Sequence, residues 1–309
     1  MSSIYVLGHI LIESIVFPDG DVLEPVLGSP AAYSSVALAC LGSHVVLCTQ
    51  AGLDVPEPFW ETFREVGVNL AGVEVSESGS TKNRLIYETL ENKRVEYLHK
   101  ARPIAARDVP VEEASEAVFY VCPMDYEVDP AEVAALAATG GRVVVDLGGY
   151  GGATSAMHPA GSPASLERTH RVLSHCAVVK GSVEDCTYIY GAVDAALPEC
   201  VYAERLLAAG GRLVVITLGE RGAFVTDGQV TARFEPFSCD ARDTTGAGDT
   251  FAAGMLHGWL EKPSEWEYFV QFGQATASYV VQRTGGVSAE RMPSRELVLE
   301  TLRKEGMDV

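Results

Sequence analysis

The chain has 309 residues, of which 47% are hydrophobic and 21% charged, so it can bury a substantial core. Its formal net charge of −19 at pH 7 argues against a general electrostatic grip on nucleic acid or on an anionic membrane. Its seven cysteines include no C-x-x-C pair, which disfavours a disulfide framework and a thiolate zinc site and indicates small core residues in a reducing compartment.

The first ten residues, MSSIYVLGHI, contain no basic region before an apolar run, so we expect no secretory signal peptide. No apolar stretch reaches the roughly 18 residues of a membrane-spanning helix. We therefore expect a cytoplasmic protein that binds neither nucleic acid nor membrane.

Six short apolar runs are spaced along the chain, and several are followed by helix-like segments. The runs are IYVLG from residue 4, VVLCT from 45, AVFYV from 117, RVVVDL from 142, CAVVKG from 176 and RLVVITLG from 212. This alternation predicts an α/β fold in which a mostly parallel sheet lies between helices.

Apolar spacing predicts the helices that follow these strands. One contains Phe59 and Phe63, one contains Leu206, and one contains Phe251. Gly42 and Gly210 stand where glycines that end helices are expected.

Two segments interrupt the alternation of strands and helices. The segment from Leu11 to Leu27 is short and strand-like, and the segment from Thr81 to Lys100 indicates two strands around a turn near Glu91 and Asn92. We expect them to form a small β lid beside the main sheet. The alternative is that they are ordinary surface hairpins.

The stretch DTTGAGDTFAAG, from Asp243 to Gly254, places a glycine-rich turn before an apolar helix. Without Cβ atoms, Gly246 and Gly248 allow a ligand to approach the backbone, and amides at a helix start lack partners. Such a turn favours an anion. Asp249 would repel a phosphate group unless it accepts the proton of an attacking hydroxyl; alternatively, it only caps the helix.

Three other features suit a nucleotide, and each has a simpler alternative. The glycines of TLGERGAF, Gly219 and Gly222, expose backbone to a nucleotide or form only a hairpin turn. Lys180, at the end of a strand, supplies a charge for a polyphosphate or is a solvated strand end. Glu184 and Asp185 hold magnesium through water or only complement a helix dipole.

The DTTGAGDTFAAG stretch resembles the C-terminal signature of the ribokinase-like carbohydrate kinases, also called the phosphofructokinase B type. The resemblance covers most of the chain. It extends to VLGHILIES near the start, GSPAAYSSVALACLG from residue 28, VVKGSVED, TLGERGAF and GQATASYVVQRTGG from residue 273. It implies one ribokinase-like domain over residues 1–309, with a three-layer α/β core and a β lid from about 11–28 and 76–103.

The resemblance also implies roles for particular residues. Asp249 is the expected base, and the anion hole is formed by Gly246, Ala247 and Gly248. The residues expected to bind the acceptor are Glu13, Gly28, Ser29, Tyr33 and Asp249. Those expected to bind ATP are Lys180, Ser182, Thr217, Gly219, Gly222, Gln274, Gly246 and Gly248. The expected metal residues are Glu184 and Asp185 for Mg²⁺ and Asp243, supported by Thr244, for the K⁺ that many relatives hold.

The chain departs from the family pattern mainly at the acceptor end. Relatives usually carry Asp where Glu13 stands, Gly where Ser29 stands and often Asn where Tyr33 stands. The longer Glu13 side chain moves its acceptor atoms, and Tyr33 adds a flat apolar face or is an ordinary buried aromatic. We therefore do not expect a plain ribose site. Ser182 and Asp185 replace the usual Asn and Glu, and both can still bind water or metal.

These features predict an ATP-dependent kinase that transfers the γ-phosphoryl group to a hydroxyl of a sugar or related polyhydroxylated molecule. An inositol or a nucleoside is the nearest variant, and dimerisation through the lid is expected. DLGGYGG after a strand superficially resembles a dinucleotide turn, but the G-x-G-x-x-G spacing near the first strand is missing. A catalytically silent sugar-binding homologue is the third alternative, and the presence of Asp249 argues against it.

Overall fold

The computed structural model describes residues 2–87, 93–156, 163–191 and 195–309. In chain order the strands are β1 (Ile4–Leu7), β2 (Leu11–Val16), β3 (Val22–Gly28), β4 (Val45–Gly52), β5 (Asn69–Ser76), β6 (Thr81–Tyr87), β7 (Lys93–His99), β8 (Val118–Val121), β9 (Arg142–Asp146), β10 (Val178–Ser182), β11 (Val214–Thr217), β12 (Ala223–Thr226) and β13 (Thr231–Phe234). The α-helices are α1 (Pro30–Cys40), α2 (Glu57–Glu65), α3 (Pro130–Ala138), α4 (Pro163–Leu173), α5 (Val183–Ile189), α6 (Glu199–Ala208), α7 (Ala247–Glu261), α8 (Trp266–Val281) and α9 (Arg295–Lys304).

Nine of the described strands form one sheet in the order β13-β12-β11-β10-β9-β8-β1-β4-β5. Strands from β11 to β5 are parallel to their neighbours, and β12 and β13 extend one edge with antiparallel pairing. Side chains of β1 alternate between faces: Ile4 and Val6 pack with α1, α7 and α8, and Tyr5 and Leu7 pack with α3 and α6. Because helices cover both faces, the central strands are apolar throughout. The predicted α/β fold is confirmed.

The two segments predicted to form a lid lie in a second sheet of four described strands, in the order β3-β2-β6-β7, which we call the lid. The register places Glu13 opposite Asn83, and Asn83 opposite Tyr97. Residues that pair directly across strands lie on the same face, so these three side chains share one face of the lid. We call this the inner face, because it buries Glu13 and Asn83, which are 9% and 1% exposed. The turn predicted near Glu91 and Asn92 lies outside the described residues.

The glycines predicted to end two helices are found at those helix ends. Gly42 and Gly210 follow α1 and α6 with φ angles of 90° and 109°, which only glycine adopts easily. The predicted helix around Phe59 and Phe63 is α2, and both rings are buried. Within the described ranges, none of the helices combines the length and apolarity that a membrane crossing would require.

Candidate active site

The turn before α7 has the geometry of an anion site. Gly246 is the N-cap of α7 with a φ of 79°, and a Cβ there would lie 2.5 Å from the Tyr33 ring, so only glycine fits. The first intrahelical hydrogen bond runs from Thr250 N to Gly246 O at 2.9 Å. Ala247 departs from expectation, since its amide donates to Thr244 O at 3.1 Å. An anion at this helix start would therefore face chiefly the amides of Gly246 and Gly248.

Asp249 is the third residue of α7 and is half-buried at the same turn. The N-cap position belongs to Gly246, so the alternative that Asp249 is the helix cap does not describe this turn. The carbonyl oxygen of Asp249 accepts a hydrogen bond from Ser34 Oγ at 3.1 Å. This bond fixes the start of α7 against α1.

A buried ion pair lies beside the turn. Lys180 on β10 donates from Nζ to Asp146 Oδ2 at 2.7 Å, and the two side chains are 4% and 6% exposed. The same Nζ lies 3.4 Å from the point that a Cβ on Gly248 would occupy. Burial alone would lower the pKa of Lys180, but the nearby carboxylates, chiefly Asp146, outweigh it and raise the pKa. Lys180 is therefore a buried, charged ammonium at the anion turn rather than a solvated strand end.

Asp146 completes this charge arrangement from the neighbouring strand. Burial raises the pKa of its carboxyl group, and Lys180 opposes that shift. Asp146 Oδ1 also accepts from the amide of Gly148 at 3.1 Å. The DLGGYGG segment, which begins at the last residue of β9, thus supplies a counter-charge and a backbone donor.

Asp185, the third residue of α5, forms a capping box with Ser182, the N-cap of that helix. Ser182 N donates to Asp185 Oδ2 at 2.7 Å, Asp185 N donates to Ser182 Oγ at 2.9 Å, and Asp185 Oδ1 accepts from Ala153 N at 2.9 Å. The Asp185 side chain is buried and Glu184 is exposed. In the part of the chain that the structure describes, no group of three or more His, Cys, Asp or Glu could hold a metal. Magnesium would take most of its ligands here from phosphate oxygens and water.

A cavity of about 840 Å³ extends from the anion turn towards β11 and α8. Its lining includes predicted nucleotide residues from three separate segments: Thr217, Gly219, Gly222, Gly248 and Gln274. Such a volume accommodates a ligand of nucleotide size. Gly222 has a φ of 84°, and a Cβ there would lie 1.9 Å from Phe234 O, so the β11–β12 connection requires glycine at this position.

Four predicted acceptor residues meet where β3 joins α1. A Cβ on Gly28 would lie 2.8 Å from Glu13 Oε2, so the glycine makes room for the carboxyl group. Ser29 caps α1 by accepting from Ala32 N at 3.1 Å, with φ 114° and ψ 156°, a conformation that belongs to glycine. Tyr33 is 3% exposed, and burial raises the pKa of its hydroxyl.

The inner face of the lid adds an unexpected polar residue to this end. Within the described structure, Asn83 has no hydrogen-bond partner for either side-chain atom, Oδ1 or Nδ2, although it is 1% exposed. Its neighbour Tyr97 donates to Thr154 O at 2.8 Å and Met124 O at 3.3 Å, which fastens β7 to the loops after β8 and β9. Asn83 therefore lies between Glu13 and the attached edge of the lid with both polar atoms unused.

Asp243 contacts a buried arginine. Arg291, which is 2% exposed, approaches Asp243 Oδ2 with Nη2 at 3.3 Å. The two carboxylate oxygens of Asp243 also accept from Thr245 N at 2.9 Å and Gly285 N at 3.3 Å. The carboxylate predicted to hold a monovalent cation is thus bonded to this chain's own guanidinium.

Sequence reasoning missed three of these residues. Asp146 carried the same signal as Lys180, an ionisable residue that ends an apolar strand, and could have been found. Asn83 is one polar residue in a lid strand, and Arg291 is one arginine in a loop; neither carries a motif.

The family model described as pfkB family carbohydrate kinase matches residues 27–293 of the chain. The chain belongs to the pfkB family. Members of this family are carbohydrate kinases that phosphorylate hydroxyl groups, so the protein is a phosphotransferase with an alcohol group as acceptor.

Individual relatives of this pfkB-family kinase differ in substrate. The chain is 28% identical over 299 residues to the cytidine kinase of Thermococcus kodakarensis, which covers 92% of the chain and 98% of that protein. The fructokinase from Xylella fastidiosa with bound ATP is similar in structure, with TM-score 0.80, 19% identity and coverage of 98% and 99% of the two chains. The fructokinase double mutant from Vibrio cholerae, bound to fructose, ADP and potassium, has TM-score 0.79, 18% identity and coverage of 97% and 98%. At these identities, the two solved structures establish the fold.

Proposed function

We propose that this pfkB-family kinase transfers the γ-phosphoryl group of ATP to a hydroxyl of a sugar or related polyhydroxylated small molecule. The observation that carries the proposal is the placement of Asp249 at a helix-start anion turn that also borders the nucleotide-sized cavity and the Lys180 ammonium. A carboxylate in that position can accept the proton of the attacking hydroxyl next to the phosphoryl group.

The proposed reaction needs little covalent chemistry from the protein. The Asp249 carboxylate accepts the proton of the acceptor hydroxyl, the hydroxyl oxygen bonds to the γ-phosphorus, and the bond to the β–γ bridging oxygen breaks to release ADP. The amides of Gly246 and Gly248 stabilise the charge on the transferring group, and Lys180 adds a fixed positive charge. Magnesium, when bound, would neutralise charge on the nucleotide phosphates, and Glu184 and Asp185 would orient its water ligands.

The acceptor end supports a ligand with several hydroxyl groups. Glu13 offers acceptor atoms, and Asn83 offers two donors and an acceptor from a position that excludes bulk water. A buried amide without partners costs free energy, and a bound hydroxyl that satisfies it recovers that cost. Vicinal hydroxyls, as in a sugar, polyol or inositol, match both residues.

A nucleoside is the second candidate acceptor. The cytidine kinase of Thermococcus kodakarensis aligns with 92% of the chain, and the buried Tyr33 ring gives the acceptor end an aromatic face. A nucleoside also presents vicinal ribose hydroxyls. The two candidates differ in whether activity requires a base on the sugar.

The test is ADP release with ATP and magnesium across pentoses, hexoses, inositols and nucleosides, comparing the wild type with Asp249→Asn. We expect one acceptor class to give release that Asp249→Asn reduces by about 10³-fold, whereas ATP affinity changes little. Asp240→Asn is the matched control, because Asp240 lies in the same segment with its side chain 81% exposed. Equal loss of ATP binding and of transfer in Asp249→Asn would contradict the role of base. ATP binding without release for any acceptor would favour the silent homologue.

The proposal extends to assembly and location. The four-stranded lid leaves edges at β3 and β7 and carries exposed apolar side chains, Val22 at 54% and Leu98 at 49%. We propose that a second copy of the chain covers this surface. Sedimentation should give a dimer at assay concentration, and a monomer would contradict it. A cytoplasmic location is supported by the seven free cysteines, which are typical of a reducing compartment.

A further inference from the structure

The buried side chain of Arg291 lies inside a cage of backbone oxygens. Nε donates to Arg283 O at 3.1 Å, Nη1 donates to Gly285 O, and Nη2 donates to Thr245 O at 3.0 Å. Nη2 also reaches the carbonyl oxygen of Asp243 at 3.4 Å and its Oδ2 at 3.3 Å. Four carbonyl oxygens and one carboxylate oxygen thus converge on one guanidinium.

A cluster of this kind needs a positive charge at its centre. Carbonyl oxygens that point at one another without a donor carry a large desolvation cost. A potassium ion satisfies such a cluster when the oxygens replace its hydration shell. A guanidinium satisfies it through five N–H donors on a planar, permanently charged group. Here the nitrogens of Arg291 already stand at hydrogen-bond distance from these oxygens. The guanidinium therefore occupies the place that a potassium ion would need.

The cage holds the anion turn in place. Asp243 and Thr245 belong to the segment that leads into Gly246, and Arg283 and Gly285 belong to the loop after α8. The remaining Nη1 donor of Arg291 bonds to Tyr33 OH at 2.9 Å, and the Tyr33 ring packs where a Cβ of Gly246 would be. Arg291 therefore joins both chain segments and α1 around the turn.

We propose that Arg291 is a built-in replacement for the monovalent cation that the family resemblance implies, and that this kinase does not respond to potassium. Arg291 is a positioning residue: its donors bond to groups of this chain, and it fixes the amides that face the phosphoryl group. The inference deepens the proposed function, on which its rate readout rests, and its stability readout does not require any substrate.

The first experiment uses the wild-type protein alone. Melting temperature and phosphoryl-transfer rate are measured in potassium, sodium and choline chloride at equal ionic strength. We expect the melting temperature to agree within about 1 °C and the rate within about twofold across the three salts. A rise of several degrees, or of about tenfold in rate, with potassium specifically would overturn the proposal.

The second experiment removes the guanidinium. Arg291→Ala leaves the oxygens of the cage without a cation, so the melting temperature of the variant should fall. It should recover when potassium or millimolar guanidinium is added. Urea, which has a similar shape without the charge, should not restore it. Where an acceptor is phosphorylated, the rate should recover with the same ions. Arg64→Ala is the matched control, because Arg64 is 53% exposed on α2 and should show no such response.

The two readouts separate failure of this inference from failure of the proposed function. A variant that melts lower and responds to no cation would overturn the inference, whatever the rate assay gives. Absence of transfer to every acceptor, with cation-rescued melting of Arg291→Ala, would overturn the kinase substrate proposal and leave the cage assignment supported. If Arg291→Ala does not fold, the wild-type salt series decides alone.

Discussion

The two ends of the candidate active site differ in how their buried polar groups are satisfied. At the phosphate end, Lys180 is paired with Asp146, Asp185 with Ser182, and every donor of Arg291 has a protein acceptor. At the acceptor end, the described structure leaves both polar atoms of Asn83 without a partner. The protein itself thus holds the charged side chains of the phosphate end, whereas at the acceptor end one buried amide, that of Asn83, is left for a ligand.

This difference separates what the family shares from what distinguishes its members. Phosphoryl transfer places the same demands on every kinase, so a phosphate end whose charged side chains are paired by the protein can serve many acceptors. Selectivity comes from buried polar groups that only the right ligand satisfies. Substitutions at the two ends should therefore have different effects. At the phosphate end they should lower stability and turnover, and at the acceptor end they should lower the affinity for the acceptor.

The largest expected effect is at the Lys180–Asp146 pair. Lys180→Met leaves the Asp146 carboxyl group buried without its counter-charge, so we expect the free energy of unfolding to fall by about 3–5 kcal/mol. Urea denaturation measures it. Lys180→Met combined with Asp146→Leu should recover most of the stability but not the transfer rate. Lys262→Met, at an exposed pair with Glu265, is the control and should stay within about 0.5 kcal/mol of the wild type. Wild-type stability in the single variant would show that the pair is not buried in solution.

At the acceptor end, Asn83→Leu should have the reverse signature. The substitution removes an amide with no partners, so stability should hold or rise. The KM for the acceptor should rise about tenfold or more, whereas the KM for ATP should stay within about twofold. Steady-state kinetics with each substrate varied in turn gives both values. An equal rise in the KM for the acceptor and in the KM for ATP would show that Asn83 acts on the whole active site. It would contradict the difference between the acceptor end and the phosphate end.

Ser29 gives a smaller test of strain at the acceptor end. Ser29→Gly should relieve the φ of 114° and lose only the side-chain cap, for a net gain in unfolding free energy of about 1 kcal/mol. Ser29→Ala keeps the unfavourable φ and loses the cap, so it should be destabilised. Thermal denaturation of both variants checks the sign, and a Gly variant less stable than the wild type would mean that the hydroxyl contributes more than the strain costs.

The smallest effect is expected where the lid joins the core. Burial of the Asp54 carboxyl group raises its pKa, but hydrogen bonds from Lys82 and Ser80 overcome this and lower the pKa to about 2. Because the folded pKa is depressed, the stability that Asp54 contributes is present above its unfolded pKa and is lost as the pH falls towards 2. Asp54→Asn should flatten that part of the acid unfolding curve. Identical curves for variant and wild type would rule out the contribution.

The residues predicted for the phosphate end include one contiguous motif. Gly246, Ala247, Gly248 and Asp249 follow one another, so one motif specifies turn, helix start and acid together. Ala247 is the exception, since its bond to Thr244 depends on the shape of the turn. The main sheet could also be predicted from the sequence, because apolar runs and helical spacing are local properties.

The positions of Asn83 and Arg291 could not be predicted from the sequence, because they depend on contacts between segments that are distant along the chain. Asn83 acquires its place from the register between β2 and β6, and a shift of one residue would move it to the other face. Arg291 meets Asp243 and Thr245 across 48 and 46 residues, with no pattern in between. No local spacing rule reports such contacts.

The hydrogen bond between Ser34 and the carbonyl oxygen of Asp249 has a practical consequence for engineering. It ties the proposed base to α1 and the core, whereas Asn83 and Tyr97 belong to strands of the lid. A chimera that takes β6 and β7 from a relative would replace those two contacts without altering the scaffold that carries the proposed base. If the proposed acceptor site is right, we expect the range of acceptors to follow the lid strands in such a chimera, with the α1–α7 junction left intact.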